Sequence, residues 1–255
     1  MRFTIAAETD VGISKKTNQD SYCIKRAELD GRQAAMAVVC DGMGGLKNGE
    51  LASAAVVRAC SKWFEQELPE LLYLGDWKAV KQSITALLKK LNERIQEKAA
   101  STGGQMGTTA CGLLLYEDKY MIINVGDSRV YSLSDKLRLL TEDQSYVMRE
   151  VSRGTITLEE AARHPRRNLL LQCVGAVRTV VPDVQMGTIE AGMNFLLCSD
   201  GFHHELNERE IMAKIGPGTA DRKNDMKENL RQLVETAMRR GERDNITAIL
   251  VSTRM

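Results

Sequence analysis

Five aspartates share a local setting that suits them to hold hard cations. Asp20 lies in "TNQDSY", Asp41 in "VVCDGMGG", Asp127 in "INVGDSRVY", Asp200 in "LLCSDGF" and Asp244 in "ERDNITAILV". Three of them come just after an apolar run, and Asp244 comes just before one. A carboxylate at the end of a buried strand is partly desolvated, which disfavours its charged form. Several such groups brought together would repel one another. Protonation, pairing with cations or binding a metal would relieve that repulsion. Ligation by carboxylates, backbone carbonyls and water suits Mg²⁺ and Mn²⁺. Taken singly, each aspartate beside a glycine is an ordinary turn residue. Spacing alone leaves open whether the five converge.

The elements that must position these residues can be read from hydrophobic periodicity. Strand-like runs rich in Val, Ile, Leu and Tyr cover 34–40, 108–116, 120–125, 129–133, 194–198 and 246–251. A helix is expected over 50–68, ending at Pro69. A second is expected over 77–99, with Val80, Ile84, Leu87, Leu88, Leu91 and Ile95 on one face. Leu230, Leu233, Val234, Ala237 and Met238 mark a C-terminal helix. Runs of strands separated from runs of helices indicate an α+β fold, with helices covering antiparallel sheets. The charged stretch from Thr141 to Asn168 interrupts the strands and reads as a surface flap.

Composition narrows the class. The chain has 255 residues, 43% of them hydrophobic and 27% charged, with a formal net charge of +1. That balance fits a soluble globular protein of one domain, residues 1–255, and gives no global field toward nucleic acid or anionic lipid. No apolar run approaches the roughly 20 residues of a membrane span. The first residues turn acidic too soon for a signal peptide, and the last ones carry no anchor. None of the six cysteines forms a C-x-x-C pair. Buried, reduced thiols of a cytoplasmic protein are the expectation.

The motifs "TDVGISKKTNQDSY", "VVCDGMGG", "MGTTACGLLLYEDKYMIINVGDSRVYSL", "LTEDQS", "LLCSDGF" and "RDNITAILV" occur in that order. Together they resemble the metal-dependent protein phosphatases of type 2C in their short bacterial form, from about Asp10 to Val251. The resemblance implies a four-layer αββα sandwich of two antiparallel sheets flanked by helices. It implies hydrolysis of phosphoserine and phosphothreonine in proteins by a hydroxide held between two Mn²⁺ or Mg²⁺ ions, opposing a Ser/Thr kinase. Two ions roughly 3.5–4 Å apart can share and acidify one water in this way. Carried over by position, Asp41 would bridge the two ions and the Gly42 carbonyl would bind one. Asp200 and Asp244 would complete the other site. Asp127, with Asp200, would hold a third, weaker ion, and Asp20 would orient water, helped by Asn245. The expected partners are phosphoproteins and a kinase, and the expected state is a monomer. In the opening motif, Gly44 and Gly45 would turn the chain toward the first helix.

This sequence departs from the family pattern at three places. Lys15 stands where arginine usually forks onto the substrate phosphate. Lysine supplies charge without a planar fork, so weaker phosphate binding is expected. Met43 replaces the histidine proposed in eukaryotic members as the proton donor, and Gln144 replaces a histidine in "LTEDQS". His203 and His204 lie near Asp200 in sequence and are read as flap-side or surface residues. Other phosphatase chemistries fail on their motifs. The nearest C-x₅-R, Cys173 to Arg178, is one residue short, and D-x-D is absent. Glu50 occupies the lysine position of a nucleotide phosphate loop. An inactive binding module of the same fold is the rival, and it would be expected to have lost ligand aspartates.

Overall fold

The computed structural model describes residues 1–43, 48–219 and 222–254. Gly44 and Gly45 lie outside the described residues. Among those described, ten strands and eight helices form two five-stranded antiparallel sheets with helices on their outer faces, the expected sandwich.

One sheet runs β2 (Ser21–Leu29), β3 (Arg32–Cys40), β4 (Ala110–Tyr116), β5 (Lys119–Val125), β8 (Asp183–Thr188). The other runs β1 (Arg2–Asp10), β10 (Ile246–Arg254), β9 (Asn194–Cys198), β6 (Arg129–Leu133), β7 (Leu137–Leu139). Alternation along β3 explains why its sequence is apolar throughout. Ala35, Ala37 and Val39 point between the sheets, where they meet Phe195, Leu197 and Ile249. Met36, Val38 and Cys40 point outward against Trp63 and Phe64. A strand buried on both faces has no polar side, so its run is continuous.

The outer face of the first sheet is covered by α1 (Gly49–Gln66), α2 (Leu68–Tyr73) and α3 (Trp77–Ser101). The second is covered by α6 (Asp200–His203), α7 (Glu208–Ile215) and α8 (Lys223–Arg239). Between them in sequence, α4 (Tyr146–Ser152) and α5 (Leu158–Arg163) form the flap.

Pro69 does not end the first helix. That helix stops at Gln66, and Pro69 occupies the first turn of α2, where its missing N–H would have had no helical partner. Strands β1, β2, β7 and β8 are additions to the sequence reading. Their apolar positions are diluted because they sit at or beside sheet edges, as the half-exposed pattern of β2 shows. Among the described residues no helix is long and apolar enough to cross a membrane.

Candidate active site

All five aspartates sit at one end of the sandwich, for a reason of register. Ser21 pairs with Cys40, so Asp20, entering β2, lies beside Asp41, leaving β3. Cys198 pairs with both Ala248 and Arg129, which gathers Asp200, Asp244 and Asp127 around the matching end of the other sheet. Asp127 lies in the short link from β5 to β6, where the chain passes between sheets.

The backbone around Asp41 is fixed from three sides. Its N–H donates to Thr109 Oγ1 at 2.8 Å, and its carbonyl accepts from Thr109 N at 2.9 Å and Thr108 Oγ1 at 2.8 Å. Gly42 donates to the Gln19 carbonyl at 3.1 Å. A Cβ at Gly42 would lie 2.5 Å from both the Gln19 and the Gly49 carbonyl oxygens. Glycine is therefore needed here because the backbone is pinched between the loop before β2 and the start of α1. Asn245 ties the same loop to the other sheet: its Oδ1 accepts from Gln19 N at 2.9 Å, and its Nδ2 donates to the Val11 and Thr17 carbonyls.

The carboxylates disturb one another's charge. Burial pushes Asp41 well above the ordinary range, and Asp20, Asp200, Asp127 and Asp244 add to the shift. Burial lifts Asp20 to about 7 despite hydrogen bonds from Thr247 and Ser199, the latter at 2.8 Å. Burial, then Asp200 and Asp143, lift Asp127 to about 7. Asp200 is raised by burial and Asp244, against the opposing pull of His204. Asp20 Oδ1 and Asp200 Oδ1 are buried with no hydrogen-bond partner. Such mutual repulsion and unsatisfied oxygens fit a site built for added positive charge. Among the described residues no group of three or more His, Cys, Asp and Glu side chains forms a ready ion cage.

A cavity of about 850 Å³ opens from Asp127, Asp200 and Asp244 toward the flap. Lys15 lines it and forms an ion pair with Asp244 at 2.8 Å. The ammonium is held in its charged form: burial opposes this, but the Asp244 bond and the charges of Asp244, Asp41 and Asp200 outweigh it. Beneath the flap, Arg129 forks onto Asp143 at 2.9 and 2.7 Å. Gln144, whose role the sequence left open, grips the backbone before Asp127. Its Oε1 accepts from Gly126 N and its N–H donates to the Gly126 carbonyl, both at 2.9 Å.

His203 and His204 line this cavity on the side facing the flap, His203 half-buried and His204 exposed, which places them nearer the carboxylates than a flap-side or surface reading alone implies. The physical reason is that α6 begins at Asp200, so positions three and four residues later return to the same helix face. His204 Nε2 lies 3.9 Å from Asp200 Oδ2, and its Nδ1 lies 3.3 Å from Glu242 Oε2. Glu242 Oε1 accepts from the backbone N–H groups of Arg243 and Asp244 at 2.6 and 2.8 Å, fixing the turn that presents Asp244. The sequence reading passed over Glu242. Its only local signal is a carboxylate two residues before an aspartate in a tight turn.

The match to known proteins covers this whole arrangement. The family model described as protein phosphatase 2C matches residues 13–251. The chain belongs to the protein phosphatase 2C family. A putative protein phosphatase 2C-type from Streptococcus pyogenes is 32% identical to this family member over 252 residues, 97% of this chain and 96% of that one. The crystal structure of a serine/threonine phosphatase from Staphylococcus aureus superposes with a TM-score of 0.86 at 28% identity, covering 100% of this chain and 96% of that one. The catalytic domain of a serine/threonine protein phosphatase described in complex with two manganese ions superposes with a TM-score of 0.76 at 27% identity, covering 98% and 97%.

The raised carboxylates have a measurable consequence for this phosphatase 2C chain. Between the ordinary aspartate value of 3.8 and about 7, folded Asp20 and Asp127 retain protons that the unfolded chain has released. These two groups therefore make stability fall as pH rises through that window. Metal binding needs them, or their neighbours, ionised and so releases protons. The thermal stabilisation by Mn²⁺ is expected to be larger at about pH 7.5 than at about pH 5. Calorimetric titrations in buffers of different ionisation enthalpy should report proton release. A stabilisation that does not change with pH would contradict this reading.

Proposed function

We propose that this chain is a metal-dependent protein phosphatase that hydrolyses phosphoserine and phosphothreonine, with Asp41, the Gly42 carbonyl, Asp200 and Asp244 holding two ions. The observation that carries the proposal is the gathering of five aspartates at one end of the sandwich, four of which, Asp20, Asp41, Asp127 and Asp200, are raised by burial and by neighbouring carboxylates. Asp127 and Asp200 are the donors for a third, weaker ion, and Mg²⁺ serves in place of Mn²⁺. When bound, the ions offset the charge of the phosphoryl group and lower the pKa of water at the site.

The chain's own residues then have distinct tasks. Asp41 is anchored through its backbone so that its side chain alone faces the site. Asp20 accepts from Ser199 with one oxygen and leaves the other to receive a hydrogen bond from site water. Lys15 supplies positive charge at the cavity wall for the incoming phosphate, without the bidentate fork of arginine. Gln144 and Glu242 hold the backbones that present Asp127 and Asp244. The same reading makes the chain one catalytic domain, monomeric and cytoplasmic, acting against a Ser/Thr kinase on phosphoproteins.

Phosphopeptides bearing phosphoserine, phosphothreonine or phosphotyrosine test the proposal directly. Phosphate release from the first two should require Mn²⁺ or Mg²⁺ and stop on chelation, with phosphotyrosine much slower. Release from phosphoserine that survives exhaustive chelation would overturn it.

A further inference from the structure

A second cavity lies away from the carboxylates, in the groove between α1 and α3. It measures about 710 Å³. Its floor is apolar: Ala55 and Ala59 come from α1, and Leu91, Ile95 and Met106 lie buried below. Leu51 stands at its mouth with 49% of its surface exposed, an apolar side chain with little to cover it. The alanines keep the groove shallow in side-chain bulk, so another helix could approach α1 closely. From Leu51 to Glu65 the wall extends about 21 Å at 1.5 Å per residue, roughly four helical turns.

The rim is predominantly basic. Arg58 and Lys62 on α1 face Arg94 and Lys98 on α3, and all four are exposed. Glu65 is the one carboxylate among the described lining residues, and it is already paired with Lys25. Among the described residues none of the four rim cations forms an ion pair; Arg58 only donates to the Ala54 carbonyl of its own helix. By contrast, Arg231 is paired with Glu228 and Glu235, and Arg240 with Glu210. In a chain of net charge +1 this is a local excess of positive charge around an apolar floor.

We infer that the α1–α3 groove docks an acidic amphipathic helix of a partner protein, about four turns long. Its apolar stripe would cover Leu51, Ala55, Ala59 and Ile95, and its flanking carboxylates would meet Arg58, Lys62, Arg94 and Lys98. This is the helix-in-groove mode of recognition, with charge setting partner choice and encounter rate. A polyphosphate would satisfy the rim and leave the apolar floor uncovered, which is why a protein helix is the favoured occupant.

The test uses the full chain and fluorescein-labelled synthetic peptides of about sixteen residues. One has leucines at i, i+3, i+4 and i+7 with glutamates on either side. A second has the same composition, scrambled to remove the stripe. Fluorescence anisotropy should show binding of the first, with affinity falling as salt rises, and at least about tenfold weaker binding of the second. The combined variant Arg58→Glu, Lys62→Glu, Arg94→Glu, Lys98→Glu should lose the first peptide by at least about tenfold while hydrolysing a small aryl phosphate as wild type does, since these residues lie outside the catalytic cavity. If charge reversal disturbs folding, glutamine at the same four positions should weaken binding in the same direction. Equal binding of both peptides, or undiminished binding by a folded variant, would overturn the inference. So would displacement of the peptide by an equally charged single-stranded oligonucleotide, which would mark a polyphosphate surface. A dimer in light scattering that the variant converts to monomer would instead assign the groove to a second copy of the chain, and would also overturn it.

Discussion

Replacing Asp41 by asparagine is expected to lower kcat by on the order of 10³-fold or more, ~4 kcal/mol of transition-state stabilisation. The substitution is nearly isosteric. The backbone bonds to Thr108 and Thr109 do not involve the side chain, so the loop should stay in place. What changes is charge: a neutral amide cannot supply the anionic oxygen that the proposed ion site would need at this position. The same substitution should raise the stability of the metal-free protein. Asp41 is pushed well above the ordinary range by burial and by four neighbouring carboxylates, so a neutral amide there removes the cost of holding that carboxyl in the folded site. The paired readout is therefore a higher melting temperature without metal, a much smaller shift on adding Mn²⁺, and almost no phosphate release. A variant that kept a tenth or more of wild-type activity would remove Asp41 from the catalytic centre. Lost activity with a lower metal-free melting temperature would instead mean that the residue serves the fold.

Gly42→Val should fail for a different reason. The first atom of any side chain at this position would sit 2.5 Å from two backbone carbonyl oxygens, those of Gln19 and Gly49. Neither neighbour is a side-chain tip that can swing away. Relief must come from moving the loop before β2, the start of α1 or the Asp41–Gly42 link itself. Overpacking of this kind costs roughly 1–3 kcal/mol, and here it falls on backbone. In a chain of this size that corresponds to a drop of roughly 2–12 °C in Tm. Activity should fall further than stability, because the displaced segment carries both Asp41 and the carbonyl assigned to an ion. Gly112→Ala is the control: its Cβ would meet only ordinary contacts, the nearest at 3.6 Å, and it should melt close to wild type. If Gly42→Val melted and hydrolysed like that control, the pinch would carry no functional weight.

These two predictions differ in what made them visible. Asp41 was legible from local sequence, because an apolar run ending in an aspartate and glycines marks a buried strand running out into a tight turn. The need for glycine at position 42 was legible too, but its cause was not. The Gln19 and Gly49 carbonyls that crowd it belong to segments whose approach depends on how β2 pairs with β3 and where α1 begins.

The same division runs through the whole molecule. The sequence by itself determined the central strands, whose two-sided burial writes a continuous apolar run, and the long helices, whose stripes repeat with the helical period. It also determined the carboxylates at strand ends and, through its ordered motifs, the family. Tertiary structure alone decided that His203 and His204 line the cavity with His204 beside Asp200, that Gln144 holds Gly126, that Glu242 shapes the Asp244 turn and that Lys15 is paired with Asp244. It also supplied the edge strands, whose half-exposed residues carry a diluted pattern. The physical reason is one of range. Periodicity and turn chemistry are properties of a few consecutive residues. A contact between positions such as 15 and 244 is fixed only when strand register and sheet packing bring distant ends of the chain to the same point.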